Sequence, residues 1–245
     1  MYANKIYPGG IVLQFLLSIA ALLFFSVWVK YDAPSLHIWL VEDGPIETLS
    51  AVFFGISSLG FLVVIARSSF LRTKTYGLRY PMVLAWALLM FVFMGEEISW
   101  GQRILGFGTP EVLMEINHQQ EFNLHNIEFV DSFMGGKYRY LSIMMLTTGL
   151  VLPLFALSGF GARVIQWWGF PVAPLGYSLA FVGAYAYGKY FHGITIHSND
   201  STEVREFLMS VAMLLFALHG AIRPCDLFRA CNRGPSVGKQ IVNDS

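Results

Sequence analysis

Apolar runs of about twenty residues, each long enough to cross a lipid bilayer, recur along this chain. Hydrophobic residues make up 55% of the sequence and charged residues only 13%, which excludes a disordered or highly charged soluble protein. We therefore predict an all-α, polytopic membrane helix bundle with about six transmembrane helices. The predicted spans are, in order, Ile11 to Val29, Pro45 to Ala66, Pro81 to Ser99, Leu141 to Phe160, Phe170 to Phe191 and Val204 to Ile222.

Lys and Arg residues in the connecting loops predict the orientation, because loops rich in them are retained in the cytoplasm. With the N-terminus inside, ten of the sixteen Lys and Arg residues fall on the cytoplasmic side and six on the other. Both termini are therefore predicted to be cytoplasmic, with residues 1–222 forming one transmembrane domain and 223–245 a short tail. Cys225 and Cys231 then lie in the cytoplasm, which argues against a structural disulfide.

The acidic residues are distributed unevenly across the predicted membrane. Fourteen of the sixteen Asp and Glu residues, and five of the six His residues, fall on the extracytoplasmic side. Acidic residues influence topology little, so this bias alone is compatible with no function. Several nevertheless lie within or at the ends of apolar helices. A charge near the bilayer centre costs roughly 2.5 to 3.5 kcal/mol, so such residues are usually paired, neutralised or functional.

The strongest local pattern lies at the end of the third predicted span and reads Gly95-Glu96-Glu97-Ile98-Ser99-Trp100-Gly101-Gln102-Arg103. If the helix continues, Glu96, Ser99 and Arg103 share one face through steps of three and four residues. Glu96 or Glu97 then suits a general base, and Arg103 suits the stabilisation of developing negative charge. Ser99 is a candidate hydrogen-bond donor in the same site. The alternative is an interfacial salt-bridge cluster with Trp100 as an aromatic anchor.

The segment from about residue 100 to 140 is polar but retains many apolar residues, which predicts amphipathic helices lying over the outer face of the bundle. Thr109-Pro110-Glu111 has the pattern of a helix start, with a capping hydroxyl, a proline and an acid. If the following residues are helical, Asn117, Glu121, His125 and Glu128 form one stripe. Carboxylate and imidazole at that spacing suit Zn, Fe or Mn, although such spacing also occurs on solvated helices.

Two other segments carry acids or imidazoles to the same predicted end of the bundle. Glu47 lies in the first turn of the second span, and His192, His197 and Glu203 lie around the short loop before the sixth span. Helix-dipole stabilisation or solvation explains each of these residues equally well when it is taken singly. Their convergence predicts a metal site, whose candidate ligands are Glu47, Glu97, Glu121, His125, His192, His197 and Glu203.

The motifs GEEISWGQR and NHQQEFNLHN, with EDGPIE upstream, resemble those of a group of uncharacterised bacterial multi-pass membrane proteins. This resemblance implies a bacterial inner membrane location but no particular activity. The chain is also similar to the ceramidase-like membrane hydrolases, which have acidic, serine and histidine residues around zinc. The chain departs from that superfamily in two ways. His192 and His197 are five residues apart rather than four, and the superfamily's paired mid-chain Asp and His have no convincing match here.

Three functions fit these patterns. The first is a metal-dependent enzyme at the outer leaflet, either a hydrolase acting on a lipid-like substrate or a di-metal oxidoreductase. The second is a non-catalytic subunit of a larger membrane complex, of respiratory or photosynthetic type, whose acidic face docks a basic soluble partner. The third is an ion or proton transporter, which the absence of a sequence repeat makes less favoured. The expected partners are membrane lipids or these subunits, and nucleic acid is excluded because the chain has no basic patch beyond its topology signal.

Overall fold

The computed structural model describes residues 8–41, 44–68, 78–117, 120–124, 127–129, 137–190 and 200–228. Most of these residues are helical, and no strand is formed within the described ranges. The all-α prediction is therefore confirmed for this part of the chain. The α-helices are α1 (Pro8–Leu40), α2 (Pro45–Arg67), α3 (Arg79–Glu97), α4 (Gln102–Leu105), α5 (Glu111–Ile116), α6 (Lys137–Leu146), α7 (Leu152–Phe155), α8 (Gly159–Trp168), α9 (Ser178–Tyr190) and α10 (Asp200–Ile222).

Short irregular turns join several of these helices. A 3-10 turn, Ser99–Gly101, lies between α3 and α4, and a π-helical turn, Thr147–Val151, joins α6 to α7. Two more 3-10 turns, Leu175–Tyr177 and Pro224–Phe228, precede α9 and follow α10.

Within the described ranges, three helices are long and apolar enough to cross a membrane, namely α2, α3 and α10. They correspond to the second, third and sixth predicted spans. Pro45 at the first position of α2 and Glu47 in its first turn are both favourable at a helix start, which explains why this boundary was predictable from sequence. The long apolar helices support the interpretation of the chain as a membrane protein.

The predicted count of six spans is not confirmed. Within the described residues, the apolar helix in α1 is Val12–Trp28 and the one in the region of the fourth span is Arg139–Phe155. Proline and capping residues interrupt the later segments. Ser158 Oγ accepts a hydrogen bond of 2.9 Å from the amide of Gly161 and starts α8 as a new helix. Pro171 and Pro174 lack an amide donor, and α9 begins only at Ser178.

Two helices pack along α2, namely α3 and α10, and they run in opposite directions to each other. Gly55 of α2 faces Met94 near the end of α3, whereas Phe61 stacks on Trp86 nearer its start. The residue order is reversed between the two pairs, so α2 and α3 are antiparallel. Within the bilayer, Ser58 adds a hydrogen bond of 2.8 Å to the backbone oxygen of Ala87.

The contacts of α2 with α10 follow the same residue order in both helices. A Cβ atom placed on Gly60 would lie 3.1 Å from the Cβ atom of Ala217, so the helices approach closely there. Farther along, Arg67 Nη1 donates to the backbone oxygen of Ala221 at 3.0 Å. These two helices are therefore parallel.

The first helix runs antiparallel to α10. Gln14 contacts His219, and Phe25 contacts Phe207 with ring centroids 5.2 Å apart. The start of α1 and the end of α10 consequently lie at the same end of the bundle.

The bundle therefore has two chemically distinct ends. One end contains the start of α2, the end of α3 and the start of α10, and we call it the acidic end because Glu47, Glu97 and Glu203 lie there. The basic end is the opposite one, which contains Arg67 and Arg79. The helix directions thus bring these three acids, from three separate helices, to the same end of the bundle.

The expectation that the chain lacks a structural disulfide is wrong, because Cys225 is disulfide-bonded. Cys225 follows α10 at the basic end. The expectation was drawn from a cytoplasmic placement inferred from loop charge, whereas the pairing of two cysteines also requires that they lie close together.

Candidate functional site

The end of α3 turns sharply at the acidic end of the bundle. Ser99, Trp100 and Gly101 follow the helix with φ values of +45°, +53° and +79°. Non-glycine residues rarely adopt this left-handed region, and each such residue costs on the order of 1–3 kcal/mol. The surrounding contacts must offset that cost. A strained turn of this kind is typical of functional or tightly constrained sites.

This turn folds Trp100 back onto the last residues of α3. The indole Nε1–H donates to Glu96 Oε1 at 2.7 Å, and the ring makes an edge-to-face contact with Phe91. A Cβ atom on Gly95 would lie 2.9 Å from atoms of the indole ring, so this position has room only for glycine while Trp100 stays in place. One contact, between Gly95 and the indole ring of Trp100, thus accounts for the presence of both residues in the sequence motif.

Glu96 connects the helix end to a later part of the chain. Its second oxygen, Oε2, accepts a hydrogen bond of 2.7 Å from the backbone amide of Leu124. The residue is only 8% exposed. Its carboxyl group therefore receives two donors from within the protein, one from a side chain and one from the backbone.

Glu121 lies in what we call the Glu121 loop, which comprises Asn117 and residues 120–124. Its Oε2 atom accepts a hydrogen bond of 2.6 Å from Ser99 Oγ and one of 2.9 Å from Asn123 Nδ2. Ser99 is 1% exposed and Glu121 is half-buried, so the donor of the first bond is shielded from water. The loop and the strained turn are held together by this bond and by the bond from Leu124 to Glu96.

The two asparagines of the Glu121 loop fix its shape. Asn117 Nδ2 donates to the backbone oxygen and to Oδ1 of Asn123, both at 2.9 Å, and both residues are buried. Asn117 itself is extended, ends α5 and forms an isolated antiparallel bridge with Ile127. Gln120 takes a positive φ of +57°. The described part of this segment is therefore a loop.

Gln102, which follows the strained turn, is hydrogen-bonded to Thr109 and to the Glu121 loop. Its side chain accepts a bond from the amide of Phe122 and donates one to Thr109 Oγ1, each of 2.8 Å. Thr109 in turn donates to the backbone oxygen of Gln120 at 2.8 Å. The predicted capping role of Thr109 is thus wrong, because its hydroxyl serves the loop and α5 starts without a side-chain cap.

Two predicted helical arrangements do not form. Glu96, Ser99 and Arg103 do not share a helix face, because α3 ends at Glu97 and the chain turns before α4. The stripe of Asn117, Glu121, His125 and Glu128 is absent from the described residues, because the chain is extended at Asn117 and left-handed at Gln120. Ser99 and Glu121 meet nevertheless, by a tertiary hydrogen bond rather than by helical spacing.

The other predicted site residues are placed as follows. Glu97 is the last residue of α3 and is half-buried, as are Glu47 in the first turn of α2 and Glu203 in the first turn of α10. Arg103 belongs to α4. His125, His192 and His197 lie outside the described residues.

The fit of a metal ion can be tested on the described residues alone. Among them, no group of three or more His, Cys, Asp or Glu side chains is placed to hold a metal ion. Glu96 and Glu121 instead accept hydrogen bonds from neutral donors, which orient the two carboxyl groups. A complete ligand set would have to include histidines from the segments that lie outside these ranges.

A second polar cluster, which the sequence argument missed, lies at the basic end. His219 Nε2 is 3.3 Å from Asp226 Oδ2, and its Nδ1 atom is 3.4 Å from Gln14 Nε2. Tyr177 packs edge-on against the same imidazole. Gln14 is a strongly polar residue in a mostly apolar stretch, and such a residue in a membrane helix is the signal that could have found this cluster.

Comparisons of the chain with models of protein families, with curated proteins and with solved structures give no match. The two resemblances that the sequence motifs suggested therefore stay predictions.

Proposed function

We propose that this chain is an integral membrane protein whose functional site is the polar cluster at the acidic end of the bundle. In this proposal the site is a metal-dependent enzyme centre acting on the polar part of a lipid-like molecule. The observation that carries it is the part-buried 2.6 Å hydrogen bond from Ser99 to Glu121, made by a strained turn at the end of a membrane-spanning helix.

The position of the cluster supports a lipid-like substrate. The 19 residues of α3 span about 28 Å at a helical rise of roughly 1.5 Å per residue, close to the thickness of a bilayer's hydrocarbon core. The turn at Ser99 therefore lies at the level where headgroups meet acyl chains. An ester, amide or phosphate linkage of a lipid is found at that same depth.

The arrangement of donors suits carboxylates that have to keep one orientation. Ser99 and Asn123 both reach Oε2 of Glu121, and Trp100 and Leu124 hold the two oxygens of Glu96. Hydrogen bonds of this kind orient a metal ligand or a general base. In our proposal Glu121 and Glu97 face the reacting group, and Ser99 is a positioning residue for Glu121.

A metal ion bound here would lower the pKa of a water molecule and supply the nucleophile. Glu97 and Glu121 are the described candidates to hold it, with His125, His192 and His197 as the imidazole ligands predicted from sequence. Zn, Fe and Mn all accept such oxygen and nitrogen ligands, and an iron or manganese pair would serve redox chemistry instead of hydrolysis.

The test is elemental analysis of the protein purified without added metal, for the wild type and for the variants Glu121→Ala, His125→Ala and Glu111→Ala. Glu111 is an exposed acid of α5 and serves as the matched control. We expect stoichiometric Zn, Fe or Mn in the wild type and in Glu111→Ala, and its loss in the other two variants. Wild-type protein that holds no metal, even after incubation with each ion, would contradict the metal-dependent enzyme.

One observation favours a second candidate, a non-catalytic subunit of a membrane complex. Ser99 is almost fully buried, and the bonds to Glu96 and Glu121 described above come from the chain itself, as in a purely structural cluster. In that case the acidic end docks a basic partner, and its charge mainly accelerates association. Cross-linking in native membranes, with and without Glu111→Lys and Glu115→Lys, would then reveal a partner whose yield falls in the variants and with added salt.

The proposal also includes the orientation of the bundle in the membrane. In our proposal the membrane is a bacterial inner membrane, the acidic end lies on its extracytoplasmic side and both termini lie in the cytoplasm, which the bias of Lys and Arg in the loops supports. The close position of the two ends of the described chain supports termini on one side.

A further inference from the structure

The segment from α4 to residue 129 presents large apolar side chains at the acidic end. Ile104 is 77% exposed, Leu105 74%, Val112 73% and Phe129 75%. Exposed apolar groups in such number on one short segment mark a surface that another phase or molecule covers. They contrast with Asn117 and Asn123 of the same segment, which are buried.

The α5 helix, Glu111–Ile116, shows this imbalance most clearly. Four of its six residues are apolar, namely Val112, Leu113, Met114 and Ile116. None of its six residues is buried against the described part of the chain. A helix with this composition is not expected to remain in water, because the apolar surface would stay hydrated.

The hydrogen bonds of the site hold this segment at a defined depth. α3 ends at Glu97 after a length close to the hydrocarbon thickness, and α4 begins five residues later at Gln102. Gln102 is bonded to both Thr109 and Phe122, so these two residues lie close to the end of α3. The exposed apolar side chains therefore lie where the span leaves the hydrocarbon.

We propose that the described residues between 104 and 129 form an interfacial membrane anchor, whose apolar side chains insert into the leaflet at the acidic end. Continuity with the adjoining span supports lipid as the occupant, because the same leaflet that surrounds α3 reaches this depth. Interfacial segments of this kind bury their apolar face about 5–10 Å into the headgroup and acyl boundary.

The charges of the segment indicate which lipids suit it. Glu111, Glu115 and Glu128 are exposed between the apolar residues. Acidic side chains at the surface repel anionic headgroups, whereas the usual interfacial helix carries Lys and Arg for the opposite reason. The anchor therefore fits a zwitterionic lipid surface and weakens as the anionic lipid content rises.

The test places a nitroxide label at Leu105→Cys or Val112→Cys, with Glu115→Cys as the polar control, in a protein whose native cysteines are replaced by serine. The protein is reconstituted in phosphatidylcholine vesicles, and collision rates with oxygen and with a water-soluble nickel complex are measured. We expect high oxygen and low nickel accessibility at positions 105 and 112, and the reverse at 115. Added phosphatidylglycerol should raise the nickel accessibility at the first two positions.

Two results would overturn the anchor. High nickel accessibility at 105 and 112 would place these side chains in water. Low accessibility to both reagents would mean that a protein surface, from a second copy or another subunit, covers them. If the cysteine-free protein does not fold, Leu105→Trp in the native background gives a second measurement, because brominated lipid should quench the added fluorescence and leave the Glu115→Trp increment unquenched.

Discussion

Ser99 Oγ donates a 2.6 Å hydrogen bond to Glu121 Oε2 across 22 residues of sequence. Because a hydrogen bond to a carboxylate contributes about 1.5–3 kcal/mol, Ser99→Ala and Glu121→Ala should each destabilise the protein by about that amount. The double variant should lose less than the sum, since both changes remove the same bond. Glu121→Gln keeps an acceptor oxygen and should lose less than Glu121→Ala. Unfolding in detergent measures all four, and additive losses would show that the bond does not couple the two residues.

Trp100 should stabilise the protein through its indole N–H as well as its ring. Trp100→Phe keeps an aromatic ring against Phe91 but removes the donor to Glu96 Oε1, which should cost about 1–3 kcal/mol. The matched control is Trp167→Phe, at a site that is 71% exposed, where a change within about 0.5 kcal/mol is expected. The same unfolding assay compares the two, and equal effects would argue against the indole bond.

A side chain at Gly101, the last residue of the strained turn, should destabilise the protein. Its φ is +79°, and an L-residue in the left-handed region costs roughly 1–2 kcal/mol, so Gly101→Ala should lower stability by that amount. Gly108→Ala is the control, since its added Cβ would meet nothing within 4 Å. A neutral Gly101→Ala would mean that the turn relaxes at little cost.

The two termini should lie on the cytoplasmic side of the membrane. Fusions of green fluorescent protein at either end should fluoresce, and alkaline phosphatase fused at the same positions should stay inactive. The opposite pattern at both ends would reverse the orientation and place the acidic end inside. The disulfide of Cys225 would accord with that reversal, since such bonds persist in oxidising compartments.

The long apolar helices were predictable because their signal is contained in each segment. α2 begins with a proline and an acid, and its apolar run ends at Arg67, so composition and helix-start chemistry agree. The segment of the predicted fifth span could not be resolved in this way. Its apolar run is continuous in hydropathy, but Pro171 and Pro174 remove backbone donors and leave only Ser178–Tyr190 as a described α-helix.

The candidate site was predictable in its residue types but not in its geometry. Glu96, Ser99 and Glu121 were identified as polar residues in an apolar context, and the structure joins them in one network. The helical spacings used to group them were wrong, because Ser99 and Gln120 take positive φ values that their residue types rarely adopt. Such values are stabilised by bonds between distant segments, which no local pattern encodes.

The network between the end of α3 and the Glu121 loop also sets an order of assembly. Its longest connection joins Glu96 to Leu124, which are 28 residues apart, and the last described residue joined to the loop is Ile127, which bridges to Asn117. The Glu121 loop can therefore bind to the end of α3 during synthesis, before α6 and the later helices are made. The half of the bundle built from α2 and α3 would then have a finished surface for α10 to dock against.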